Sequence, residues 1–134
     1  MKNNKLFFVG QKALIKKDNE VLVLFEQDGK LDFPGGRIQE REVDFDESLR
    51  REIEEETSIK VVVKNPFYRW GLEFERNGEM VRIFLLAFGC EYVSGEVKLS
   101  KEHVRYLWVD KNSYKELNDV SDYFKVLEKY FNSI

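Results

Sequence analysis

Cysteine, histidine and proline are scarce. The chain of 134 residues has one cysteine, one histidine and two prolines. A single cysteine allows no internal disulfide, which fits a reducing compartment. Cys90 lies in an apolar run and reads as core rather than as a nucleophile. With one histidine and one cysteine, a zinc site built on those ligands is poorly supplied. Lysine and arginine form no block, and the net charge is −3. That excludes the basic face needed to bind along a nucleic-acid backbone. No apolar run reaches the length that spans a bilayer. The start, MKNNKLFFVG, has too little apolar length for a signal peptide. The expectation is a cytoplasmic protein with no membrane or nucleic-acid partner.

Apolar residues are plentiful, at 43% with 14% aromatic, enough to fill a core. A chain of this length buries roughly two-thirds of its unfolded surface, so one domain over residues 1–134 is expected. Leu6 to Ile15 reads as a strand, Asp18-Asn19 as a turn, and Val21 to Phe25 as the hairpin partner. Asp28-Gly29 is a second turn, and Leu31–Phe33 a short strand ending at Pro34. From Asp44 to Thr57 the period becomes helical, with Phe45, Leu49 and Ile53 as one stripe and Asp44 and Glu47 as a capping box. Val61–Val63 and Tyr68–Glu75 read as strands, and Asn77-Gly78 is the strongest hairpin signal. Val81 to Cys90 reads as a central strand covered on both faces. Short strands are expected at Val97–Leu99 and Arg105–Val109. Ser121 to Phe131 carries a helical stripe at positions 120, 123, 124, 127, 130 and 131. This order predicts a mixed sheet between helices, α/β in the sandwich sense or α+β.

Two features are not demanded by packing. The first is Pro34-Gly35-Gly36, placed between a strand end and a run of charge. The second is the helix end RREIEEETSI, where Glu52, Glu54, Glu55 and Glu56 crowd the last two turns. Glu52 and Glu56 are like charges one turn apart, which costs about 0.2–0.5 kcal/mol. Acids near a helix C-terminus also oppose the macrodipole, by about 0.3–1 kcal/mol each at exposed sites. Arg51 offsets part of this by reaching Glu55. An acidic run alone is ordinarily a solvated face, and a glycine pair alone is ordinarily a turn. Together they form a device for a metal-bound diphosphate. Glycine admits close backbone approach, and the carboxylates supply the oxygen ligands that hard cations prefer.

With Gly36, Glu42 and the run Arg51-Glu52-Ile53-Glu54-Glu55-Glu56 in hand, the chain resembles the Nudix hydrolases, or MutT-like proteins. Their motif is G-x5-E-x7-R-E-U-x-E-E-x-G-U, with U a bulky apolar residue. Two departures stand out. Eight residues, not seven, separate Glu42 from Arg51, the extra one placed at Val43, and Ser58 replaces the motif's last glycine. The resemblance implies a Nudix-type α/β/α sandwich and a hydrolase that uses Mg²⁺, with Mn²⁺ as an alternative. It implies metal ligands at Glu52 and Glu56, with the Gly35 carbonyl, Glu55 and the late-loop Glu102 joining them. Gly35, Gly36 and Arg37 are implied to meet the substrate. Glu52 is implied as the first choice of base, with Glu102 or Glu55 as substitutes, and Glu55 and Arg51 complete the catalytic group. Arg51 and Glu42 are implied to hold the loop against the helix. His103, beside Glu102, reads as a structural or solvated loop residue with a lesser claim to substrate contact.

The implied substrate is a small nucleotide. The leading class is a nucleoside triphosphate, ordinary or modified, cleaved to a monophosphate and pyrophosphate. ADP-ribose and nucleotide sugars are the alternatives, although Pro66 lies too close to the box to be the proline that marks ADP-ribose subgroups, and no tyrosine falls between Tyr68 and Tyr92, the zone of the one that marks dinucleoside-polyphosphate subgroups. The rivals to catalysis are a Nudix domain that senses a nucleotide without cleaving it, and an α/β domain with no metal dependence. Relatives exist as monomers and homodimers, and either is compatible with the sequence.

Overall fold

In the computed structural model, which describes residues 2–134, one mixed sheet of seven strands separates two helices. The strands are β1 (Phe8–Lys17), β2 (Glu20–Phe25), β3 (Leu31–Asp32), β4 (Gly35–Arg37), β5 (Lys60–Arg76), β6 (Glu79–Ser94) and β7 (Arg105–Val109). The helices are α1 (Phe45–Thr57) and α2 (Asp122–Asn132), with a 3₁₀ turn at Ser113–Leu117. β1 runs parallel to β6 and antiparallel to β2 and β4, and β7 pairs with β2.

The period of two along β2 makes the sandwich. Val21, Val23 and Phe25 join a core with Leu14, Phe33, Val126, Leu127 and Phe131, under α2. Leu22 and Leu24 point the other way, into a core with Ala13, Ile15, Leu49 and Ile53, under α1. Successive side chains of a strand face opposite sides, so one strand serves two cores and each helix covers one face.

Several elements differ from the sequence expectation. β1 starts at Phe8, because Leu6 has nothing to pair with or pack on and is exposed. Residues 61–63 and 68–75 are one strand, β5, whose pairing with β6 slips on either side of Pro66. Proline has no N–H to give a ladder, and a bulge accommodates it. β6 is central in the sheet but covered on both faces only in part, with Leu85, Ala87 and Cys90 buried among half-exposed neighbours. The two glycines after Pro34 lie in a strand rather than a loop, since glycine lets β4 lie against Gly10–Lys12 of β1. Phe45 leaves the α1 stripe and is half-exposed, while Leu49 and Ile53 are buried. The α2 stripe loses exposed Val120 and gains Val126.

Residues 97–99 form no strand. They cross the end of α1, where Lys98 N–H donates to Thr57 O at 2.9 Å and Ser100 N–H to Glu56 O at 3.1 Å. Helix ends leave carbonyls without intrahelical partners, and this segment supplies the donors. Ser58, in the place of the motif glycine, takes the left-handed conformation with φ 66° and closes α1 by donating its N–H to Glu54 O. At its start, the Asp44 side chain accepts from Glu47 N–H, as expected.

A left-handed serine carries a Cβ penalty of about 1 kcal/mol that glycine does not. Ser58→Gly is therefore expected to raise stability by about that amount in urea unfolding. A loss of stability would mean that the hydroxyl contact to Lys98 O outweighs the backbone strain.

Candidate active site

β4 brings the glycines onto α1. Gly35 has φ +144°, and a Cβ there would lie 2.0 Å from Gln11 O, so no side chain fits. At Gly36 a Cβ would come within 3.0 Å of the Glu52 carboxylate. The bare backbone of β4 is what lets Glu52 and Glu56 approach it, and Gly35 N–H faces Glu56 Oε1 at 3.4 Å. Gln11 ties β1, the partner of β4, to the helix start by donating to Phe45 O at 3.0 Å.

Arg51 lies on the outer side of the site. Its guanidinium meets Glu42 at 2.5 Å, Glu55 at 3.1 Å and Glu52 at 3.4 Å. The extra residue, Val43, is exposed, so the insertion is absorbed in solvent. Glu42 still reaches Arg51 and also accepts from Gln39 N–H at 2.7 Å. That backbone bond, with Arg51 next, holds the Glu42 carboxyl below its ordinary value. Glu55 is mostly exposed and spends itself on Arg51, apart from the deeper acids.

The deeper acids meet a group that the sequence reading did not assemble. Glu56, Glu102 and His103 bring one ligand atom each to within 4.8 Å of one another. Glu56 and His103 are buried and Glu102 is exposed. His103 Nε2 lies 2.8 Å from Asp32 Oδ2, and Lys12 Nζ donates to Asp32 Oδ1 at 2.9 Å. His103 Nδ1 is buried without a hydrogen-bond partner among the described residues, 4.0 Å from Glu56 Oε1. The signal for Lys12 lies in the strand period: it shares a face with Leu14, so it is a cation pointed at the core. Asp32 directly precedes Phe33-Pro34-Gly35-Gly36, and the carboxylate is what Lys12 needs. Neither residue has a spacing that marks it, because the contact joins β1 to β3.

Burial pushes the Glu56 carboxyl up to about 8, with Glu102 and Asp32 adding to the effect and Lys12 opposing it. Burial also raises Glu52, against the attraction of Arg51. Burial works the same way on Asp32, but His103 and Lys12 outweigh it and hold the carboxyl below the usual range. Burial weakens the Lys12 charge, and Asp32 more than restores it. Cys90 is no part of this, since burial in the core pushes its thiol up to about 12.

Glu56, Asp32, Glu102 and His103 line an open cleft of about 730 Å³, which Lys12, Arg37, Arg76 and Lys101 also line. Arg37 lies 5.1 Å from the Phe8 ring. Acids of raised pKa, an unpartnered imidazole nitrogen and an exposed carboxylate fit a divalent cation by donor chemistry. The surrounding cations fit phosphate oxygens.

Comparison with known proteins agrees with this geometry. A family model described as NUDIX domain matches residues 9–130. Among solved structures, a MutT protein from Methanosarcina mazei Go1 is similar with a TM-score of 0.77 and 28% identity, covering 98% of this chain and 97% of the other. A NUDIX hydrolase from Nitrosomonas europaea shares the fold at a TM-score of 0.75 and 20% identity, over 96% and 90% of the two chains. A NUDIX-family hydrolase from Clostridium perfringens does so at 0.74 and 15%, over 95% and 97%. No curated protein matches the chain by sequence.

The pH dependence of the metal-free protein follows from Glu56. The folded chain keeps its proton up to about pH 8, whereas the unfolded chain releases it near the ordinary value of 4.5. The stability that neutral Glu56 contributes is complete below the lower value and is lost as pH rises through the upper one. In EDTA, Glu56→Gln is expected to equal wild type near pH 5 and to exceed it in Tm at pH 8.5. Parallel Tm curves for the two proteins across that range would contradict the assignment.

Proposed function

This chain belongs to the NUDIX family, and from that premise we propose that it hydrolyses the diphosphate bond of a nucleoside triphosphate, ordinary or modified, releasing nucleoside monophosphate and pyrophosphate. The enzyme is a hydrolase acting on acid anhydrides, and the family's use of divalent metals is taken to mean Mg²⁺ here, with Mn²⁺ as the alternative. The observation that carries the reading is the buried Glu56 carboxylate at the back of an open cleft, next to backbone that only glycine can form. What supports a polyphosphate is the set of cations on the cleft wall, Lys12, Arg37, Arg76 and Lys101.

When bound, the cation neutralises the diphosphate oxygens, stabilises charge in the transition state and acidifies water. Glu52, Glu56 and Glu102 are proposed to hold it, with the Gly35 carbonyl, and Glu55 acts at one remove. Gly35 and Gly36 present backbone to the phosphates where a side chain would bar them. Arg37 meets the phosphates from the open side. Arg51 binds Glu42, Glu52 and Glu55, which fixes the acids in place before substrate arrives. Glu52 takes the proton from the attacking water at its carboxylate. The water oxygen bonds to phosphorus, the bridging P–O bond breaks, and the electron pair leaves with pyrophosphate. No described helix is long and apolar enough to cross a membrane, and the substrate is a small molecule.

The test is a panel of ordinary and oxidised nucleoside triphosphates, ADP-ribose, dinucleoside polyphosphates, nucleotide sugars and NADH, each with Mg²⁺ and with EDTA. Turnover of a triphosphate is expected in Mg²⁺ and not in EDTA. Glu52→Gln is expected to lower kcat by about 10²–10⁴-fold, the usual worth of a positioned base, with Tm retained. Turnover that survives EDTA would overturn the metal-dependent reading. Turnover of ADP-ribose instead would overturn only the choice of substrate. Binding of a nucleotide without turnover would make the domain a sensor.

A further inference from the structure

His103 is the chain's single histidine, and its ring is held by a partner on one side only. Asp32 accepts from Lys12 Nζ at 2.9 Å and from Phe33 N–H at 2.8 Å through Oδ1. Its other oxygen, Oδ2, meets His103 Nε2 at 2.8 Å. A carboxylate paired with a buried lysine can only accept, so Nε2 carries the hydrogen. In the neutral ring this leaves the lone pair on Nδ1. That atom is buried, lacks a hydrogen-bond partner among the described residues, and faces the Glu56 carboxyl group at 4.0 Å, too far for a hydrogen bond. Glu102 brings a third acceptor within 4.8 Å. Three potential ligand atoms thus converge on one place.

We infer that His103 Nδ1 is a nitrogen ligand of the divalent cation, together with the Glu56 and Glu102 carboxylates, and that Asp32 and Lys12 hold the ring in the one tautomer able to ligate. The inference rests on the reading of this cleft as a divalent-cation site, but adds a ligand that the acidic motif does not supply. A histidine that binds a metal through one nitrogen and donates to a carboxylate through the other is the common arrangement at metal centres. The spacing also fits. With bonds of about 2.1 Å, two ligands of one ion lie from about 3.0 Å apart when adjacent to about 4.2 Å when opposite, and the 4.0 Å between Nδ1 and Glu56 Oε1 falls in that span. One nitrogen among oxygens has a consequence for selection. Imidazole strengthens binding of later transition metals, such as Co²⁺, far more than of Mg²⁺.

The single histidine makes the test direct. The whole protein, labelled with ¹⁵N in histidine, gives one ring to observe. In the metal-free protein its long-range ¹H–¹⁵N spectrum is expected to show hydrogen on Nε2 and none on Nδ1. Saturation with ¹¹³Cd²⁺ is expected to split the Nδ1 signal by coupling through a direct bond. His103→Gln is expected to weaken Co²⁺ binding, measured by calorimetry, at least about tenfold, and to change Mg²⁺ binding by less than about threefold, because Mg²⁺ gains little from nitrogen. Absence of splitting at saturating Cd²⁺ would overturn the inference, and so would equal losses of Co²⁺ and Mg²⁺ affinity. If the variant does not fold, the wild-type spectrum still decides. None of these readouts uses turnover. Splitting in a protein that hydrolyses nothing would uphold the ligand and defeat the hydrolase reading. Mg²⁺-dependent hydrolysis without splitting would do the reverse.

Discussion

The site depends on one close approach, that of β4 to β1 at Gly35. The position of a Cβ there coincides with the space of Gln11 O, so the two strands can pair only if residue 35 has no side chain. Their pairing sets where everything else lies. It puts Gly36 against the Glu52 carboxylate and the Gly35 amide opposite Glu56. On the other face of the same segment of β1 it places Lys12 next to Asp32, one residue before Phe33-Pro34. A strand of three residues therefore joins the acids of α1 to the buried cation of β1. Ala13 N–H, donating to Pro34 O at 2.8 Å, continues the same ladder into the turn.

Around that contact the charges are arranged against local stability. α1 has no basic residue in its last turn, although that is where one would complement the helix dipole. Its final acid is buried, and burial alone disfavours a carboxylate. The fold compensates with partners brought from elsewhere. Arg51 restrains the outer acids, and Lys12 lies near the inner one. The loop after β6 closes the helix end. Removing one member of a buried ion pair such as Lys12–Asp32 leaves an unmatched charge, which is worth about 3–5 kcal/mol in comparable cases. The inner pair is thus held more firmly than the outer acids, and it lines the cleft together with Glu56 and Glu102.

Much of this was legible from local chemistry. The α1 cap at Asp44, the Asn77-Gly78 turn and the arginine–glutamate register all depend on residues close in sequence, and each was found where the sequence put it. What was not legible depends on residues far apart. β4 was read as a loop because three residues containing two glycines carry no strand pattern; the pairing with β1 makes it one. Lys12 has no motif spacing to mark it, and only strand parity, which puts it on the face of Leu14, points it inward. His103 looked like an ordinary loop residue because its partner, Asp32, is 71 positions away. Sequence periodicity reports which way a side chain points, but not which distant group waits there.

The segment at 97–99 shows why that difference matters for the site. Read as a strand, it would carry Glu102 and His103 along a sheet edge, away from α1. Instead the amides of Lys98 and of Ser100 just beyond it are taken by the last carbonyls of the helix, Thr57 O and Glu56 O. The residue whose side chain enters the acidic cluster also accepts, through its backbone, the loop that delivers Glu102 and His103. Farther on, Val104 N–H donates to Phe25 O at 3.0 Å and fixes the other end of the loop to β2. Both ends are tied within a few residues of His103, so the ring has little freedom apart from its own torsions. A serine in the left-handed position at the helix end is tolerable on the same grounds. The turn it forms is held by bonds from both sides, and the strain at Ser58 is borne by the structure that brings the three ligand atoms together.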